Sequence, residues 1–177
     1  GIYYIPRIIK AFKVGDAAIL KELIKILGEN KIKVIKMNNY NPEITLKKGC
    51  YTNIKPSKID LITIKRGIKY LKNVNSYNHI QALIINDKKI VSLETREGTK
   101  KMIESIKSFK NNNILIKIPK SKQDLRVDLP TIGLDTLKDC KRAKIKGIVL
   151  KADQNIFLNK YKSIKLANLN KMFLVAI

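Results

Sequence analysis

The feature that most limits what this chain can become is its succession of short apolar runs divided by helical patterns. Runs at 80–85, 90–94, 114–118, 147–150 and 172–177 are each of strand length and rich in Ile, Leu and Val. Between them lie segments with apolar residues three and four apart: Leu61, Ile64, Ile68 and Leu71, then Met102, Ile103, Ile106 and Phe109. Thr99 is placed to cap the second of these, and Asp135 or Thr136 to cap a further helix running to Ala143. A last helix is expected over 161–170, and the turn Asn86-Asp87-Lys88 closes a hairpin. Strands alternating with helices predict an α/β domain, a mixed sheet with flanking helices.

The front of the chain reads differently. A helix over 1–14 breaks near Gly15, and Asp16 caps a second helix with Ile19, Leu20, Leu23, Ile24 and Leu27 on one face and Gly28 as its stop. Ile32, Val34, Ile35 and Met37 then read as a buried strand. A helix and one strand make half of an α/β layer, so residues 1–45 are expected to be the end of a separate domain and the start of a linker, with 46–177 the main domain. Asn38, Asn39, Asn41, Pro42, Gly49, Asn53 and Pro56 mark the connecting stretch. The chain opens with Gly1 inside the apolar run Ile2-Tyr3-Tyr4-Ile5, which predicts a piece of a longer polypeptide.

Charge and rare residues narrow the chemistry. The formal net charge is +23, from 37 basic and 14 acidic residues, and such a field attracts phosphorylated substrates, anionic lipid or nucleic acid. The lysines are spread through the chain, and the few Tyr and Phe form no RNA-binding aromatic pattern. A basic nucleic-acid-binding module is therefore the alternative reading. His79 is the single histidine, and Cys50 and Cys140 stand far apart, which excludes an ordinary zinc site and Ser-His or Cys-His catalysis within this chain. Two isolated thiols fit a reducing, cytoplasmic setting, and no apolar run is long enough to span a bilayer.

Charge, alternation and turn chemistry meet in KIPKSKQDLRVDLPTIG, residues 117–133. As an extended segment it sends Asp124, Arg126 and Asp128 to one side and Leu125, Val127 and Leu129 to the other, stopping at Pro130. Two carboxylates on one face suit Mg²⁺, with Mn²⁺ as a substitute, completed by water and a substrate phosphate. Arg126, Lys117, Lys120 and Lys122 would meet a pyrophosphate. The plainer alternative is that Asp124 and Asp128 pair with Arg126 on a solvated face. Glu94, Glu97 and the Gly98-Thr99 helix start would join this site if the strand ends lie together, and Thr131 offers a hydroxyl.

The same stretch resembles the signature of the C-terminal domain of the LpxI family, the UDP-2,3-diacylglucosamine pyrophosphatases of lipid A synthesis. ETREGTKKM (residues 94–102), Gln81-Ala82-Leu83, GIVLKADQNIFLNK near the end, and Gly15-Asp16-Ala17 before a helix are similar to further family segments. Lys100 stands where the family has an acid, and Asn78-His79-Ile80-Gln81 where it has D-x-G-Q. The resemblance implies a Rossmann-like N-terminal domain, of which the front of the chain would be the end, and a site between two domains. It further implies Mg²⁺-assisted hydrolysis to lipid X and UMP, dimers, and work at the cytoplasmic face of the inner membrane. Carried onto this sequence, it implies Asp124, Asp128 and Arg126 as catalytic residues, with Asp124 and Asp128 also holding the metal. Gln123, Lys120, Lys122, Glu97, Gly98, Thr99 and Thr131 would bind substrate. A stretch holding one wall of such a site is expected to turn over little on its own.

Overall fold

A computed structural model describes residues 2–75, 80–106, 112–121 and 123–177. Its strands are β1 (Gly49–Cys50), β2 (Ala82–Asn86), β3 (Lys89–Leu93), β4 (Asn113–Lys117), β5 (Thr131–Ile132), β6 (Gly147–Leu150), β7 (Ile156–Phe157) and β8 (Phe173–Ala176). Its helices are α1 (Ile5–Val14), α2 (Asp16–Glu29), α3 (Lys58–Asn75), α4 (Gly98–Glu104), α5 (Leu134–Arg142) and α6 (Lys160–Leu169). Six strands form one sheet in the order β1-β8-β6-β4-β2-β3. The central β4, β6 and β8 run parallel, and β2, β3 and β1 are antiparallel to their neighbours, so the sheet is mixed as the alternation predicts.

The central strands are apolar throughout because both of their faces are covered. Alternate residues sort to opposite sides. Leu83, Ile85, Ile116, Val149 and Phe173 pack with Ile64 and Leu71 of α3. Ile84, Leu115, Ile148, Leu150 and Leu174 pack on the other side with Met102 and Ile103 of α4, Leu137 and Cys140 of α5, and Ala167 of α6. Gly147 lies opposite Phe173 in the β6–β8 register, and a Cβ there would come within 2.1 Å of the Phe173 ring, so the glycine is what lets that ring lie flat on the sheet.

Several boundaries depart from the sequence reading. α3 starts at Lys58, ahead of Asp60, because Ser57 and Asp60 form a reciprocal cap: Ser57 N–H donates to Asp60 Oδ2 at 2.8 Å and Asp60 N–H to Ser57 Oγ at 3.2 Å. Lys146 then pairs with Asp60 at 2.9 Å, and Leu61, expected on the apolar face, is exposed. Asp16 makes no capping bond; Gly15 is the N-cap of α2, and the helix runs past Gly28 to Glu29. Neither Asp135 nor Thr136 caps α5, whose N-cap is Gly133, and Asp135 pairs with Lys138 instead. Phe109, His79 and Asn78 lie outside the described residues.

The expected strand at 32–37 is absent: Ile32, Ile35 and Met37 are exposed, the first two in chain without regular structure and Met37 at the start of a 3-10 turn, Met37–Asn39. A strand is held by a neighbour's ladder, and among the described residues no strand pairs with that stretch. α1 and α2 form a hairpin clamped by Arg7, which bonds Glu22 and, through both terminal nitrogens, Glu29. Only Ala11 of the two helices is buried. Among the described residues, no helix is long and apolar enough to cross a membrane.

Candidate active site

The carboxyl ends of the parallel strands gather the polar residues of interest, the edge at which open α/β sheets present ligand sites. Lys117, Leu150 and Ala176 lie side by side there, and the segments leaving β4 and β6 are joined by the parallel pair β5–β7. Ile156 N–H donates to the Pro130 carbonyl and Leu158 N–H to that of Ile132, which extends the seam. Pro130 thus precedes a strand and does not end one: it has no N–H to give, yet its carbonyl serves the seam.

The expected extended run at 124–129 is a single helical turn. The amides of Val127 and Asp128 both donate to the Asp124 carbonyl, at 3.1 and 2.9 Å. Asp124 ends this way because Arg126 folds back on it, donating from its backbone N, from Nε, and from Nη2 at 2.7 Å. A local ring of this kind competes with any sheet ladder. Asp124, Arg126 and Asp128 therefore share one turn, with Arg126 paired to Asp124, and do not alternate along a strand. The hydrogen bonds from Arg126 hold the Asp124 carboxyl down at about 2. So acidic a group is ionised at neutral pH and is a poor general base, but it suits a cation.

Gln123 Oε1 accepts from the Lys120 amide at 2.9 Å, which fixes the approach to the turn; Lys122 lies outside the described residues. Gln123, Asp124, Val127 and Asp128 border a hollow of about 20 Å³ closed by Ala17, Leu20 and Lys21 of α2. That volume suits about one water, not a nucleotide. Thr131 is exposed and its hydroxyl donates to the Leu129 carbonyl.

Glu94 and Glu97 do not join Asp124 and Asp128 in a ligand set: among the described residues no three His, Cys, Asp or Glu side chains come together to hold a metal. Glu97 is exposed and is the N-cap of α4, seven residues long, while Gly98 turns the chain at φ 85°. Thr99 does not cap that helix. Its hydroxyl donates to Glu94 Oε1 at 2.5 Å and accepts from Lys117 Nζ at 2.5 Å. Glu94 also takes the Gln81 amide, and Lys117 Nζ lies 3.6 Å from its carboxylate, both residues buried. Burial pushes the Lys117 amine below its ordinary value; Glu94 opposes the shift and nearby Lys120 adds to it.

This buried cluster was legible only as a faint irregularity, one lysine inside the apolar run Ile114-Leu115-Ile116-Lys117-Ile118. Asn155 carried no signal. It is buried after β6, accepts from the Lys151 amide, and its Nδ2 has no partner among the described residues.

Against known proteins, a model of the LpxI C-terminal domain matches residues 47–175, which include β4, the Asp124 turn and the buried cluster. Over 186 aligned positions the whole chain is 23% identical to a protein of Caulobacter vibrioides named UDP-2,3-diacylglucosamine pyrophosphatase LpxI. The chain spans 66% of that relative's length, just under two thirds. With most of its residues inside the matched domain, this chain belongs to the LpxI family through its C-terminal domain.

Proposed function

We propose that the protein hydrolyses the pyrophosphate of UDP-2,3-diacylglucosamine to 2,3-diacylglucosamine 1-phosphate and UMP, a step of lipid A synthesis. The observation that carries this reading is the family match across 47–175, the stretch that contains every candidate site residue. The relative with the pyrophosphatase name aligns with the whole chain, front helices included.

Asp124 and Asp128 would hold Mg²⁺, or Mn²⁺ in its place. The donor set fits: two hard carboxylate oxygens, one residue fixed as an anion, on a single turn where residues four apart share a face. A bound divalent ion would polarise a phosphoryl oxygen and lower the pKa of a water. Arg126, now held by Asp124, is the group that can swing to a substrate phosphate when the carboxylate takes another cation. Lys120 and Lys122 would add positive charge for the departing UMP, Gln123 holds Lys120 in register, and Glu97, Gly98, Thr99 and Thr131 would help to bind the substrate. Pairing of two copies, and contact with an anionic membrane surface driven by the net charge of +23, complete the reading.

The test is UMP release from UDP-2,3-diacylglucosamine in detergent with Mg²⁺, followed by ³¹P NMR. Release should vanish on chelation and fall by a factor of about 100 or more in Asp128→Ala, as for removal of a group acting on the reacting phosphate. No release by the complete polypeptide, or release unchanged by both Asp124→Ala and Asp128→Ala in folded protein, overturns the reading.

A further inference from the structure

We propose that the cavity at the amino ends of the central strands, walled by Lys141, Lys144, Lys146 and Lys171, binds a phosphate-bearing anion. It lies at the opposite rim of the sheet from the Asp124 turn, and it stands apart from the hydrolase reading.

Two turns build this place. α5 ends, and the chain passes Lys144 and Lys146 before entering β6; α6 ends, and the chain passes Lys171 before entering β8. The two turns line one cavity of about 420 Å³, a volume within the range of small-molecule sites. Buried Ile145 and Met172 give it apolar surface, and among the described residues no carboxylate lines it. Lys146 is fixed from two sides. Its carbonyl accepts from the Phe173 amide at 3.1 Å, and its Nζ donates to Asp60 of α3 at 2.9 Å.

Helix ends do not account for these lysines. Cations do offset the macrodipole at a helix C-terminus, and their heads can cap the last carbonyls. Here backbone amides already serve those carbonyls: Ile145 N–H donates to Cys140 and Lys144 N–H to Lys141, while Met172 N–H donates to Ala167 and Lys171 N–H to Asn168. Lys146 belongs to no helix. Lys144 and Lys171 also hold left-handed backbone, φ 51° and 53°, which glycine adopts without the Cβ clash. Lys31 does the same after α2, so conformation alone marks no site. What distinguishes the pair is that both border one cavity together with Lys141 and Lys146. An ammonium is a compact charge with three donors and no fixed fork, so several of them read charge more than shape. That suits a multivalent phosphate, whether on a lipid headgroup or on a free phosphorylated molecule.

The experiment is an NMR titration of the protein with inorganic pyrophosphate and with inorganic phosphate, the shifts being read residue by residue. The amides of Ile145, Gly147 and Met172 should move, with pyrophosphate bound more tightly than phosphate. Lys144→Gly/Lys171→Gly should weaken pyrophosphate about ten-fold or more at these amides, the scale of a hydrogen bond to a charged group. Its thermal midpoint should stay or rise, because glycine relieves both left-handed positions, so the loss is not one of folding. Lys65→Gln/Lys69→Gln removes the same charge from the exposed side of α3 and should leave binding within about two-fold. Shifts missing from those amides, binding by the glycine pair within about two-fold of wild type, or equal losses in both pairs overturns the site. Sedimentation with phosphatidylcholine vesicles containing phosphatidic acid separates the two sources. Vesicle binding that falls in the glycine pair but not in the glutamine pair assigns the site to a lipid headgroup. Vesicle binding alike in both, with pyrophosphate still lost in the glycine pair, assigns it to a soluble phosphate. UMP release in detergent should be unchanged in the glycine pair; release that falls with it overturns the separation from the hydrolase site.

Discussion

Gly147→Ala is a one-atom test of how tightly the sheet is packed. The added Cβ would lie 2.1, 2.2 and 2.4 Å from three ring carbons of Phe173. Real Cβ contacts are wider by more than an ångström, so the ring or the strand must move. Phe173 is fully buried in the layer beneath α3, against strands hydrogen-bonded on both sides, so neither moves freely. Overpacking of this kind costs about 1–3 kcal/mol. Alanine's better strand entropy returns roughly 0.5–1 kcal/mol. The net expectation is a loss of about 1–2 kcal/mol, which for a chain of this size lowers the thermal midpoint by about 2–8 °C. Gly28→Ala is the control: it sits in α2 with nothing within 4 Å of its would-be Cβ, and should be neutral or stabilising by up to ~1 kcal/mol. Urea unfolding of the three proteins, followed by far-UV circular dichroism, gives both differences. If Gly147→Ala is as stable as wild type while Gly28→Ala behaves as expected, the packing argument is wrong.

Other measurements probe the remaining contacts. Lys117→Met should cost about 3–5 kcal/mol, and adding Glu94→Leu should recover most of it; a double-mutant cycle by urea denaturation shows whether the two act as a unit. Ser57→Ala should cost about 1 kcal/mol and speed amide exchange in the first turn of α3, since it removes half of the reciprocal cap. Asp124 titrates near 2 because of Arg126, so its small contribution to stability is present above the ordinary Asp value and lost as pH falls through about 2. The pair is largely exposed, so that contribution stays within a few tenths of a kcal/mol, and carboxyl ¹³C shifts in Arg126→Ala should show Asp124 returning toward about 4.

What could be read from residues alone follows the range of the forces involved. β2, β4 and β6 were legible because a strand covered on both faces must be apolar, and Asp87-Lys88 supplies the turn into the edge strand β3. The stretch at 32–37 misled because its apolar residues look alike whether or not a partner strand exists to pair with. At 124–128 the period-two pattern was genuine, but the Arg126–Asp124 ring and the bonds to the Asp124 carbonyl captured the backbone first. Ser57 and Asp60 did carry a readable cap signal, three residues apart before an apolar run, and it was missed. The Glu94–Thr99–Lys117 cluster left only the lysine inside an apolar run as a trace, since it depends on the ends of β3 and β4 meeting the start of α4, which no local pattern encodes.

The β5–β7 seam has a mechanical meaning. The arms that follow β4 and β6 are stitched to each other, and Thr45 bridges to Ile156 from the third side. The seam ties the segment carrying the Asp124 turn to the one carrying Asn155, so a displacement of either is expected to carry the other with it.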